Sequence, residues 1–194
     1  MTNTRDRILD VSSELFRRQG LTGTGIKQIL DRAHAPFSSL YHHFPGGKDQ
    51  LAAETIEREG RYFARLVGQA IAAQPDLVSG IHAAFLGAGT TLEETDYADA
   101  CPIETVALEV ASTNERLRLA TADVFASWIT GLTTTLTKAG IEPAPARALA
   151  HTILSALEGA FVLARASRTP EALEACATHM STLVASALPQ PPTS

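Results

Sequence analysis

The stretch Ala35-Pro36-Phe37-Ser38-Ser39-Leu40-Tyr41-His42-His43-Phe44-Pro45-Gly46-Gly47-Lys48 decides how this chain is read. Leu40 and Phe44 stand four residues apart, so they share one face of a helix and can be buried together. Ser38, Ser39, Tyr41, His42 and His43 place hydrogen-bonding groups on the remaining faces. Pro45-Gly46-Gly47 ends that helix, and Lys48 opens the next one. Immediately upstream, Thr24-Gly25-Ile26-Lys27-Gln28-Ile29-Leu30-Asp31-Arg32-Ala33 reads as a helix. Thr24 is its expected cap, and Ile26, Ile29, Leu30 and Ala33 form its apolar stripe. His34-Ala35-Pro36 is left as a tight corner. Helix, short corner and short second helix together make a helix-turn-helix, the motif that lays its second helix in the major groove of DNA.

Outward from this motif the pattern is helical throughout. Residues 4–19 predict a first helix, with Ile8, Leu9, Val11, Leu15 and Phe16 at its period and Gly20 as its stop. Residues 48–74 predict a long fourth helix that ends at Pro75. Pro75, Pro102, Pro143, Pro145 and Pro170 fall between helical patterns and never inside one, as a residue without an N–H requires. They mark a fifth helix at about 76–92, a sixth at about 102–113, a seventh at about 114–139, an eighth at about 144–166 and a ninth at about 170–187. Gly140 caps the seventh, and Thr169-Pro170-Glu171 is a well-formed start for the ninth. Glu93–Ala100 reads as an acidic loop, and residues 189–194 as a disordered tail. The expected fold class is all-α, about nine helices, with no strand pattern and no internal repeat.

Composition bounds the function. Acidic residues exceed basic ones, 21 against 16, so bulk charge does not advertise nucleic acid. The imbalance lies downstream, because residues 1–60 hold eight of each sign and the remainder carries the whole net charge of −5. Locally neutral charge is compatible with a DNA-binding face if its cations sit on one side. Cys101 and Cys176 have no metal-ligand spacing, and two reduced thiols are the plain reading. The polar start, Met1 to Arg7, has no apolar signal segment. No uninterrupted apolar run approaches the ~18 residues of a membrane span, and Glu158 breaks the best candidate. No nucleophile elbow, phosphate loop, dinucleotide motif or HExxH marks an enzyme, although Cys101, His82, His151 and His179 are available to one. A cytoplasmic protein without cofactor, metal or membrane partner is expected.

Residues 24–51 resemble the DNA-binding core of the TetR family of transcriptional regulators. The marks are Thr24, Ala33 before the turn, Leu40-Tyr41-His42-His43-Phe44, and Lys48 opening helix four; Pro45-Gly46-Gly47-Lys48 resembles the LmrA/YxaF-like, drug-responsive branch. The resemblance implies an N-terminal helix-turn-helix domain over 1–47 and a larger ligand-binding and dimerisation domain over 48–188. It implies a homodimer, most simply a repressor, that holds a pseudo-palindromic double-stranded operator and is released by a small apolar or aromatic effector. A ligand-binding adaptor that has kept the fold and lost DNA is the competing reading, and an enzyme is a third.

For DNA the candidate residues are Thr24, Lys27, Phe37, Ser38, Ser39, Tyr41, His42, His43 and Lys48. His43 and Lys48 suit phosphates, as do the first amides of helix four; Ser38, Ser39 and His42 suit base edges. Two positions depart from the family pattern. His34 stands where glycine is common, at a position that often wants positive φ. Phe37 stands where lysine is common, which removes a cation and makes contact with a thymine methyl possible. For an effector the candidates are Phe85, Tyr97, Phe125, Trp128, Phe161 and the carboxylate of Glu158, which needs a partner when desolvated. Helix eight repeats small residues every fourth position: Ala148, Thr152, Ala156, Ala160 and Ala164. With the resemblance, this places Thr152, Ala156, Ala160, Cys176, Met180 and Leu183 at a dimer interface of the last two helices.

Overall fold

A computed structural model describes residues 3–189, which are all-α with no strand among them. Nine helices follow in order: α1 (Thr4–Gln19), α2 (Ile26–Arg32), α3 (Ser38–His43), α4 (Gly47–Ala72), α5 (Leu77–Glu94), α6 (Pro102–Val110), α7 (Glu115–Lys138), α8 (Pro143–Ser167) and α9 (Glu171–Ala187). Pro102 and Pro143 each open a helix, where a missing N–H costs nothing. All of the expected tail but Pro189 lies outside the described residues.

The helices gather into two compact units. One runs through Tyr62 and takes in Ala98–Phe125; the other holds Phe63–Tyr97 and the chain from Ala126 on. Helix-turn-helix, first half of α4, α6 and first half of α7 therefore pack as one body. Helices α4 and α7 each have residues in both units.

In the first unit, Ile8, Leu9, Leu15, Ile29, Leu30, Ala33, Leu40, Phe44 and Leu51 form a core from α1, α2, α3, the residue after α3, and α4. Gly20 ends α1 with φ 73 and ψ 178, a region open almost only to glycine. A Cβ there would lie 1.8 Å from Glu109 Oε1 of α6. Thr24 is not the cap of α2. The cap position is Gly25, and the Thr24 side chain is buried, donating from Oγ1 to the Gly20 carbonyl at 2.6 Å. It ties the α1–α2 connection together from inside. Thr169 likewise is not the cap of α9: it lies one residue before the cap position, Pro170, and two before the first helical residue, Glu171.

The corner between α2 and α3 is a closed motif. Ala35 N–H donates to Leu30 O at 2.9 Å and His34 N–H to Asp31 O at 3.2 Å, with His34 left-handed at φ 48. This is the Schellman arrangement, which satisfies the last carbonyls of a helix and usually has glycine in the left-handed place. The positive φ expected at His34 is present.

In the second unit Ile81, Phe85, Leu92, Ile129, Leu136, Leu149, Ile153, Leu173 and Val184 join α5, α7, α8 and α9 in one core. By length and composition alone α8 is apolar enough to cross a membrane, despite Glu158, yet only 28% of its most apolar stretch is buried within this chain. Its large aliphatic residues are mostly buried or half-buried, and Val162 and Leu163 are the exposed ones.

The left-handed corner makes a stability prediction. His34→Val, β-branched at positive φ, should lower unfolding free energy by about 1–2 kcal/mol, while His34→Gly should hold or raise it. Urea unfolding followed by circular dichroism gives both values.

Candidate nucleic-acid interface

Helix α3 is six residues long, and two side chains hold it. Leu40 and Phe44 are both fully buried against α1, α2 and α4. Arg5 lies over the Phe44 ring, 5.4 Å from its centroid, and also pairs with Glu54 of α4. Arg7 Nε donates to the Ala33 carbonyl at 3.0 Å, and Arg32 pairs with Glu14 at 2.7 Å, so α1 grips the end of α2.

With that face buried, helical geometry turns the opposite one outward. Phe37, Ser38, Tyr41 and His42 are exposed, and Ser39 and His43 are partly so. Phe37 and Tyr41 are 60% and 56% exposed, and their rings lie 6.3 Å apart at 60°. His42 and His43 meet edge to face at 4.7 Å. No acidic residue lies on α3. The stretch thus offers hydroxyl, imidazole and phenol groups beside an apolar ring, the mixture that reads base edges and methyl groups.

The flanking candidates differ in availability. Lys27 is exposed on α2 and pairs with Asp31 at 2.6 Å. Thr24 is buried, and its hydroxyl is committed to Gly20. Lys48 Nζ donates to the Leu21 carbonyl at 2.8 Å. Burial lowers the Lys48 pKa, against the opposing pull of Glu109 and Asp49. An ammonium has three N–H donors, so one bond to Leu21 leaves others for a phosphate and aims them.

Several residues that hold this surface carry no local sequence signal. Glu109 of α6 accepts from Thr22 N–H at 2.7 Å, against Gly20. Asp99 binds Arg17 Nε at 3.1 Å and Arg18 Nε at 2.9 Å, and raises the Arg18 pKa. Arg17 also reaches Glu59 of α4 at 2.9 Å. Asn114 donates to Asp49 at 2.9 Å and accepts from Leu117 N–H at the start of α7. Leaving aside the local Asn114–Leu117 bond, these partners are 42 to 87 positions apart, so spacing does not reveal them. Arg17 and Arg18, at the end of α1, are thus tethers between distant segments.

The effector candidates are dispersed. Phe85, Tyr97 and Phe161 belong to the core of the second unit, where Phe85 is fully buried. Tyr97 has φ 57, and its carbonyl accepts from Arg165. Trp128 and Glu158 are half-buried in that unit, while Phe125 belongs to the first. A cleft of about 220 Å³ in the second unit is lined by other residues, among them Leu86, Glu93, Pro170 and Leu173.

The small-residue row of α8 does not lie on one surface, contrary to expectation. Ala148 and Thr152 are exposed, Ala156 is half-buried, and Ala160 and Ala164 are sealed in the subunit's own core. A step of four residues advances a helix by about 40° beyond a full turn, so a row of five winds to the other side. Ala160 has no surface to offer a second copy. The outward face is Thr152, Ser155, Gly159, Val162, Leu163 and Ala166. On α9, Cys176 and Met180 are half-buried and Leu183 is exposed. Both cysteines are thiols.

Comparison with known proteins agrees with this geometry. Residues 8–55 match the family described as bacterial regulatory proteins, tetR family, and residues 78–179 match the C-terminal domain of LmrA/YxaF-like transcriptional regulators. The chain is similar to the uncharacterized HTH-type transcriptional regulator YxaF of Bacillus subtilis, 31% identical over 94% of this chain and 95% of that one. It is 30% identical to the HTH-type transcriptional regulator LmrA of the same organism, over 83% and 86%. A TetR transcriptional regulator from Legionella pneumophila shares the fold with a TM-score of 0.83 at 22% identity, covering 94% of this chain and 98% of that one. Another from Chloroflexus aurantiacus is 27% identical with a TM-score of 0.77, over 95% and 96%. With its two halves matched and its relatives spanning nearly its full length, the chain belongs to the TetR family of DNA-binding transcriptional regulators, in the LmrA/YxaF-like branch.

Proposed function

We propose that this protein is a cytoplasmic repressor that binds a pseudo-palindromic operator as a homodimer and releases it when a small apolar or aromatic ligand binds. The observation that carries the reading is the division of α3 into a buried face, Leu40 with Phe44 just beyond it, and an exposed face of Phe37, Ser38, Tyr41 and His42. DNA contact belongs to residues 1–47 and the first turn of α4. Tyr41, His43, Lys27 and Lys48 serve phosphates, and Ser38, Ser39 and His42 serve base edges. Thr24 acts through the α1–α2 connection.

Residues 48–188 take the ligand and the partner subunit. The outward face of α8, with Val162 48% and Leu163 62% exposed beside Gly159 and Ser155, offers small and apolar residues on which a second helix can pack closely. A second α8–α9 pair, related by a two-fold axis, would cover it. The ligand lodges in the second unit near Phe85, Trp128, Glu158 and Phe161. It acts on DNA by binding better to one arrangement of α4 and α7, the helices that run through both units.

Three outcomes test this reading. Tyr41→Ala and Lys48→Ala should each weaken binding to a fragment from upstream of the protein's own gene by about 1–3 kcal/mol. Lys48→Ala should also lower the salt slope by ~1. Gel shifts across a salt series measure both, and failure of the wild type to bind any such fragment at low salt favours the adaptor reading. Gly159→Arg should leave a folded monomer that no longer binds operator, because a Cβ at Gly159 meets nothing within 4 Å. Light scattering checks it, and a wild-type monomer at micromolar concentration contradicts the dimer. Aromatic compounds that change the fluorescence of Trp128, the sole tryptophan, should weaken operator binding roughly 5–150-fold. Bound ligands that leave operator affinity unchanged would show that these aromatics are only core.

A further inference from the structure

Phe37 is the one large apolar side chain at the leading end of α3, and it is 60% exposed. Tyr41, one turn on and 56% exposed, stands beside it with ring centroids 6.3 Å apart. The two rings form an apolar strip along a surface otherwise made of Ser38, His42 and His43. Leu40 and Phe44 fix the rotation of the helix, so this strip cannot turn inward without dismantling the core beneath it. In a helix-turn-helix the exposed face of the second helix lies in the major groove. There, every base pair offers hydrogen-bonding groups, but the 5-methyl of thymine is the only apolar group among the four bases.

From this we infer that Phe37, flanked by Tyr41, is a specificity-determining residue that recognises thymine through its 5-methyl group. The inference rests on the operator-binding reading and deepens it. Each half-site then carries a thymine under Phe37, at a position where a hydrogen-bonding side chain would choose differently. Apolar contact also adds no phosphate neutralisation, so recognition by Phe37 is insensitive to salt, unlike a cation at the same place.

The test replaces thymines of a bound duplex, one symmetric pair at a time, with deoxyuridine, which removes the methyl and nothing else. Wild-type protein should lose about fourfold in affinity per methyl, hence on the order of tenfold or more for the pair under the two Phe37 side chains. Phe37→Ala should bind the thymine duplex more weakly and no longer distinguish it from the deoxyuridine duplex. Because Phe37 is exposed, the fold should survive, and circular dichroism checks that. Phe37→Lys should also ignore the methyl but steepen the salt dependence by ~2 for a dimer. Tyr41→Phe should keep the preference. The inference is overturned if no thymine pair matters to the wild type, or if Phe37→Ala discriminates as well as the wild type does; in either case the duplex is still bound and operator binding stands. If no duplex is bound at all, both readings fail together.

Discussion

A helix of six residues has no stability of its own, since isolated helices below ~12–15 residues are marginal in water. Helix α3 exists because Leu40 and Phe44 are driven into a core built by α1, α2 and α4. Burying two such side chains is worth about 1.5–3 kcal/mol each, enough to hold a turn and a half of helix whose other face makes no contribution to packing. The same constraint orients the display. With one face pinned, Phe37, Ser38, Tyr41 and His42 have nowhere to go but outward. The supporting contacts follow the same logic. The Schellman corner at His34, the Arg7 bond to Ala33 and the Arg5 stack on Phe44 all fix the angle between α2 and α3.

That support reaches further along the chain than the motif itself. Glu109, Asp99 and Asn114 lie far downstream in sequence, yet each bonds to the α1–α2 connection, the end of α1 or the start of α4. The compact unit that contains the helix-turn-helix therefore includes α6 and half of α7. Helices α4 and α7 each run through both units, and α6 is bonded to the base of the motif. Under the proposed function, ligand and operator need only prefer different conformations of the chain to be coupled.

Local chemistry made most of the fold legible in the sequence. The 3.6-residue period locates the helices, glycine or its substitute marks the turns, and the prolines mark boundaries except Pro145, which lies within the first turn of α8, where its missing N–H is still tolerated. The left-handed backbone at His34 is legible through the family resemblance, which commonly has glycine at that position. Thr24 was misread as a cap because a threonine before a helical pattern has two options, and burial chose the other. The row of alanines in α8 misled for a geometric reason: a spacing of four is not the period of the helix, so Ala148 and Ala164 face different surroundings. Aromatic character, which marks all the effector candidates but Glu158, cannot distinguish Phe85, sealed in the core, from Trp128, half-buried. The bonds from α6 to the motif depend on where distant segments meet, which no local pattern encodes.

Under the proposed function, two copies of α3, related by a two-fold axis, read successive turns of DNA. A hydroxyl-radical footprint on the DNA flanking the protein's own gene is the direct test. Two protected patches related by a dyad are expected, their centres about one helical turn or a small multiple of it apart. A single asymmetric patch, or no protection at low salt with folded protein, would contradict it.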